Sequence, residues 1–143
     1  MKIVIDTNVF VSALMSKNGA SNSLLVRIFE RSDRINVVSN SLLVEIEAVL
    51  LREQNRSRYP HLSDKEIGRF VDDIALISHH QRINFLWRPF LNDPEDDMVL
   101  ETAFNASADF IVTHNLKDFR KVEERFSIRV VAPGEFLRQG AIK

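Results

Sequence analysis

The chain has 143 residues, 45% of them hydrophobic and 27% charged, which is the ordinary mix of one soluble globular domain spanning residues 1–143. It has no cysteine, which excludes disulfides, thiolate metal sites and a Cys nucleophile. Nineteen Lys and Arg against 20 Asp and Glu give a formal net charge of -1, which excludes a polycationic binder or an acidic disordered tail but not a local nucleic-acid patch.

Ile3-Val4-Ile5 is a short β-branched run that reads as a buried strand, with Asp6, Thr7 and Asn8 as the polar turn after it. Ser21 to Arg31 carries Leu24, Leu25, Ile28 and Phe29 at helical spacing. Ile35 to Val38 reads as a second strand. Asn40 or Ser41 then caps a helix with Leu42, Leu43, Ile46, Val49 and Leu50 on one face. Arg52 to Leu62 is polar, Arg-rich and contains Pro60, so it reads as a loop. Ser63 and Glu66 fit a capping box for a helix striped by Ile67, Phe70, Val71, Ile74 and Ile77. Residues 81–90 are ambiguous between a short strand and a loop. Asp93-Pro94 opens another helix, with Asp as N-cap and Pro in the first turn. Phe110 to Val112 and Ile128 to Val131 are further strands, and a short helix from Glu135 closes the chain. No run reaches signal-peptide or membrane-span length, so a soluble cytoplasmic protein is expected.

Short apolar strands alternating with amphipathic helices predict an α/β fold with a parallel sheet covered on both faces. Ligands bind such sheets beyond the carboxyl ends of the strands. Crossover helices start at that same edge. Asp6, Glu45, Asp97 and Asp118 are therefore expected at one rim. Each has an ordinary alternative: a turn for Asp6, a helix-dipole role for the acids from Asp93 to Asp97, a cap for Asp118, solvation for Glu45. Their coincidence at one edge favours a shared role. Crowded carboxylates repel, and a divalent cation relieves them. Hard oxygen donors suit Mg²⁺ or Mn²⁺, and a cation so held can promote phosphodiester hydrolysis.

These residues resemble the PIN-domain nucleases. Residues 3–10 are similar to the family's opening strand and first acid. Residues 41–50 resemble its second motif, with Glu45 as the acid. Residues 93–100 and 108–113 resemble the third, and 114–119 the fourth. The resemblance implies a three-layer α/β/α fold and Mg²⁺- or Mn²⁺-dependent cleavage of RNA. It further implies kinship with VapC-like toxins, which dimerise and are silenced by a small antitoxin in the active-site groove. Carried over, Asp6, Glu45, Asp97 and Asp118 are the acids, supported by Thr7, Asn8, Asp96, Thr113 and Asn115. Asp96-Asp97 leaves the third acid open by one residue. Asp97 is favoured by its spacing to Leu100 and Ala103. Asn115 departs from the family, where many members have Asp.

For RNA, Arg52 and Arg56 around Tyr59 in the polar loop, and Lys117, Arg120 and Lys121 beside Asp118, are the candidate phosphate contacts. A second basic–aromatic cluster runs from Arg82 to Phe90. A homodimer is expected if the stripes Leu42–Leu50 and Ile67–Ile77 exceed what the sheet covers. The competing expectation is a PIN-like module that binds RNA or protein without cutting. A haloacid phosphatase would need a second Asp where Asn8 stands, and a receiver domain needs an Asp and Lys pair that the chain does not place.

Overall fold

The computed structural model describes residues 1–140 and 142. Strand β1 (Ile3–Ile5) pairs in parallel with β4 (Phe110–Val112), and β4 with β5 (Arg129–Val131). β2 (Val37–Val38) pairs in parallel with β3 (His79–His80). A parallel bridge between Ile3 and Asn36 joins the two sets, so the strands run in the spatial order β3-β2-β1-β4-β5. The chain moves outward from β1 to β3, then returns to the opposite side of β1. The switch point of this parallel sheet lies between β1 and β4.

The helices are α1 (Thr7–Met15), α2 (Ala20–Phe29), α3 (Asn40–Leu51), α4 (Glu53–Arg56), α5 (Asp64–Ile77), α6 (Pro94–Ala106), α7 (Arg120–Arg125) and α8 (Pro133–Arg138). They cover both faces of the sheet in a three-layer α/β/α arrangement, as expected. β1 is wholly buried, and so are β2 and β4. The capping box at Ser63 and Glu66 forms as read. Asp93 caps α6 with Pro94 in its first turn. No helix among the described residues is long and apolar enough to cross a membrane.

Several local expectations change. Residues 7–15 form a helix rather than a turn, because Asp6 caps Thr7 and buries Val9, Phe10, Val11 and Ala13 behind it. The α3 cap is Ser39, whose hydroxyl accepts from the Leu42 N–H, one residue before the earlier of the two residues expected to cap. A strand, β3, occupies His79–His80, while residues 81–90 form no strand. Within the Arg52–Leu62 loop lies the single turn α4, and Tyr59 is fully buried with its hydroxyl donating to the Leu50 carbonyl at 2.6 Å. The stripe residues Leu42, Ile46, Val49 and Leu50 of α3, and Ile67, Val71 and Ile74 of α5, are buried within the chain. Leu43, Phe70 and Ile77 of the two stripes are only partly buried, and Val44 and Leu76 on the same helices are exposed.

Candidate active site

The β1–β4 register pairs Ile5 with Val112, so the next residues, Asp6 and Thr113, meet at the switch point. Both are buried. Asp6 Oδ2 accepts from Thr113 Oγ1 at 2.7 Å and Oδ1 from the Thr7 N–H at 2.7 Å. The Thr113 hydroxyl also meets the Asn115 N–H at 3.0 Å and the Asn8 amide at 3.5 Å, both donors. Its own proton therefore goes to Asp6, which fixes the carboxylate in place. The Asn8 amide oxygen in turn accepts from the His114 N–H at 3.3 Å. Burial pushes the Asp6 carboxyl above its usual range, opposed by the Thr113 and Thr7 hydrogen bonds.

Asp6, Thr7, Asn8 and Asn115 line a cleft of about 450 Å³, together with Arg52, Asp93, Glu95 and Asp96. Asp96 is buried, and no described residue donates a hydrogen bond to its carboxylate. Burial, then the neighbouring charges of Asp6, Asp93, Asp118 and Glu95, push its carboxyl up to about 7. Asp118 sits on a 3-10 turn (Leu116–Phe119), exposed, and its charge reaches Asp96.

Asp97 does not line this cleft. Its Oδ1 accepts from the N–H groups of Leu91 at 2.8 Å and Phe90 at 3.3 Å. Glu101, one turn on, holds the Trp87 N–H at 2.9 Å and the Arg88 guanidinium at 2.6 and 2.9 Å. Asn105, another turn on, accepts from Asn84 and Phe85 and donates to the Phe85 carbonyl. One face of α6 thus holds the segment 84–91. The sequence carries the signal as polar residues at 97, 101 and 105, spaced by four. Consecutive helical residues differ by about 100° in direction, so Asp96 takes the cleft when Asp97 takes the loop.

Glu45 does not line the cleft. It accepts from Arg52 Nη2 at 3.2 Å, and Arg52 also pairs with Glu95. Burial and the adjacent Glu95 raise the Glu45 carboxyl, while Arg52 holds Glu95 below its usual value. Among the described residues no three acids or imidazoles stand close enough to hold an ion. The expected four-acid cluster is thus represented by Asp6 and Asp96 in the cleft, with Asp118 adjoining and Glu45 drawn onto Arg52.

Of the expected RNA contacts, Arg52 lines the cleft, but Arg56 is used internally. Arg56 pairs with Asp64 at 3.0 Å and donates to the Leu62 and Tyr59 carbonyls. Lys117, Arg120 and Lys121 flank Asp118 in a separate small groove with Leu91 and Asn92. In the Arg82–Phe90 cluster Trp87 and Phe90 pack inward, while Arg82, Phe85 and Arg88 are exposed, Arg88 being paired with Glu101. Trp87 meets Phe104 at 5.2 Å and Phe126 at 5.1 Å, edge to face. Arg58 and His114 also line the cleft.

A family model described as the PIN domain matches residues 2–117. The chain belongs to the PIN-domain family. An uncharacterised protein of Methanocaldococcus jannaschii is similar at 26% identity, across 97% of this chain and 91% of its own length. In this PIN domain the matched segment contains α3 and α6, which carry Glu45 and Asp96, and β1 and β4, which are followed directly by Asp6 and Thr113.

The raised Asp96 carboxyl has a testable consequence in the metal-free PIN domain. The folded state binds this proton more tightly than the unfolded chain, whose carboxyl titrates near 3.8. The stability it contributes is full below about pH 4 and is lost as pH rises through about 7. Asp6 acts with the same sign. Urea midpoints in EDTA should be higher at pH 5 than at pH 8, and Asp96→Asn should flatten the difference. A wild-type midpoint independent of pH over that interval would refute it.

Proposed function

We propose that this PIN domain is a metal-dependent endoribonuclease acting in the cytoplasm, with Asp6 and Asp96 as its central acids and Glu45 and Asp118 as contributing ones. One observation carries the reading. Two buried carboxylates from distant segments share a cleft, and protein groups satisfy one and leave the other without a donor. Burying an unpaired carboxylate is costly unless it is protonated or a cation neutralises it. The donor set is all oxygen, which suits Mg²⁺ or Mn²⁺.

When bound, such a cation supplies Lewis acidity toward a phosphodiester and toward water. The remaining work falls to the chain. Thr113 and the Thr7 N–H hold the Asp6 carboxyl in place and oppose the effect of its burial. Asn8 and Asn115 fix the Thr113 hydroxyl. Arg58 places a positive charge on the cleft wall, where an RNA backbone would pass.

Mn²⁺ at about a hundredfold excess over Kd should stabilise the native state by about 2.7 kcal/mol, a rise of roughly 5–10 °C in Tm. Asp96→Asn should abolish most of that rise, and EDTA should stop cleavage of single-stranded RNA. No shift with either metal and no EDTA-sensitive cleavage would favour the non-catalytic binding module, a reading supported by Asn115 and by the Arg52 pairing of Glu45. The resemblance to VapC-type chains extends the proposal to a toxin whose small antitoxin enters the cleft. Co-expression with the product of the adjacent reading frame, followed by co-purification, tests that extension.

A further inference from the structure

The cleft holds a guanidinium among carboxylates, and local chain geometry puts it there. Arg52 follows the end of α3, seven residues after Glu45. Seven residues are about two helical turns, which returns the two to one side. Arg52 Nη2 donates to Glu45 Oε1 at 3.2 Å and to Glu95 Oε1 of α6. Glu45 is the more enclosed partner, its side chain 16% exposed against 39% for Arg52. Asp93, Glu95 and Asp96 line the same cleft, so the guanidinium is a fixed positive charge in an acidic setting. A second cation brought to Glu45 would be repelled by the first at short range. Glu45 itself does not line the cleft, and no three acids among the described residues stand close enough together to hold an ion.

We propose that Arg52 is a resident counter-ion that competes with the divalent cation for Glu45, so that metal loading and release of the guanidinium are one event. The proposal rests on the reading of this cleft as a metal site. Coupling between two ligands of one group is reciprocal: if the cation weakens the Arg52 pairing, Arg52 weakens cation binding by the same factor. The released guanidinium remains on the cleft wall, where it becomes available to a phosphate of the substrate. Arg52 is then not a standing RNA contact but one created by loading.

Calorimetric titration of Mn²⁺ into the metal-free protein tests this without any activity measurement. Arg52→Gln should bind Mn²⁺ about fivefold tighter than wild type, the upper range for a partly exposed ion pair. Arg52→Lys, which keeps charge but loses the planar fork, should fall between the two. Arg58→Gln removes a cleft charge that makes no ion pair among the described residues and should change affinity less than about twofold. In wild type, the Arg52 Nε–H resonance should move on Mg²⁺ addition with the midpoint of metal binding. This second readout, with the Lys variant, keeps the proposal falsifiable if Arg52→Gln does not fold. Unchanged affinity in a folded Arg52→Gln, or a stationary Arg52 resonance, overturns the proposal and leaves the metal reading intact. Equal tightening in Arg52→Gln and Arg58→Gln shows a general field effect and also overturns it. No Mn²⁺ binding by wild type overturns both.

Discussion

Asp6→Asn should abolish RNA cleavage while the far-ultraviolet circular dichroism spectrum stays that of the wild type. The carboxylate sits at the switch point of the sheet, held by Thr113 Oγ1 and the Thr7 N–H at 2.7 Å each. Removing an outer partner of a metal ligand typically costs about 10–100-fold, so losing the ligand itself should cost more than about 100-fold. Asn keeps one oxygen to cap α1, while its NH2 takes the place of the oxygen that accepts from Thr113, so the fold loses at most that one hydrogen bond. Burial disfavours the Asp6 charge, and the neutral amide removes that penalty. The Tm of the metal-free variant should therefore equal or exceed that of wild type near pH 8. Retention of most of the EDTA-sensitive activity in Asp6→Asn would sink the assignment of this residue. A fall in Tm of many degrees would instead show that the carboxylate acts mainly as a helix cap.

The adjacent acids Asp96 and Asp97 should separate cleanly, one through activity and the other through stability. Asp96→Asn should lose cleavage and Mn²⁺ stabilisation, because its carboxylate faces the cleft with no donor from the described protein groups. It should not lower the Tm of the metal-free protein. Asp97→Ala should do the reverse. It leaves the Leu91 and Phe90 N–H groups without their acceptor, Leu91 being buried, at a cost of about 1–3 kcal/mol. For a chain of this length that is roughly 3–10 °C in Tm. Residual activity per folded molecule should stay near wild type at temperatures well below the transition. If Asp97→Ala loses activity while its Tm is unchanged, the roles of the two acids are exchanged.

How far each site residue could be read from the sequence follows the range of the interaction that fixes it. Asp6 was legible because a buried strand ends directly before it, and the rim rule for parallel sheets needs nothing else. Thr113 was named only through the family resemblance, and the β1–β4 register places it beside Asp6. The acids opening α6 were legible as a group because Asp93-Pro94 marks a helix start. Which member of the Asp96-Asp97 pair faces the cleft was decided by the segment 84–91 docking on Asp97, Glu101 and Asn105. That contact crosses a chain reversal, whereas the spacing to Leu100 and Ala103 favours Asp97, the residue that does not line the cleft. Arg56 and Tyr59 looked like a basic–aromatic nucleic-acid loop. In the fold, Tyr59 is core and Arg56 ties the loop's carbonyls together.

The sequence by itself determined the alternation of strands and helices, the parallel sheet, the caps at Ser63 and Asp93, and the edge at which the acids gather. These follow from local periodicity and capping, which involve residues a few positions apart. Only the tertiary structure decided that residues 7–15 continue as a helix behind the Asp6 cap, that Asp96 rather than Asp97 joins Asp6, and that Glu45 is held by Arg52 with Glu95. The last pair lies 43 residues apart in the chain. No local pattern encodes such a meeting; it arises when α6 crosses back beside β1 and brings its first turn to the end of α3.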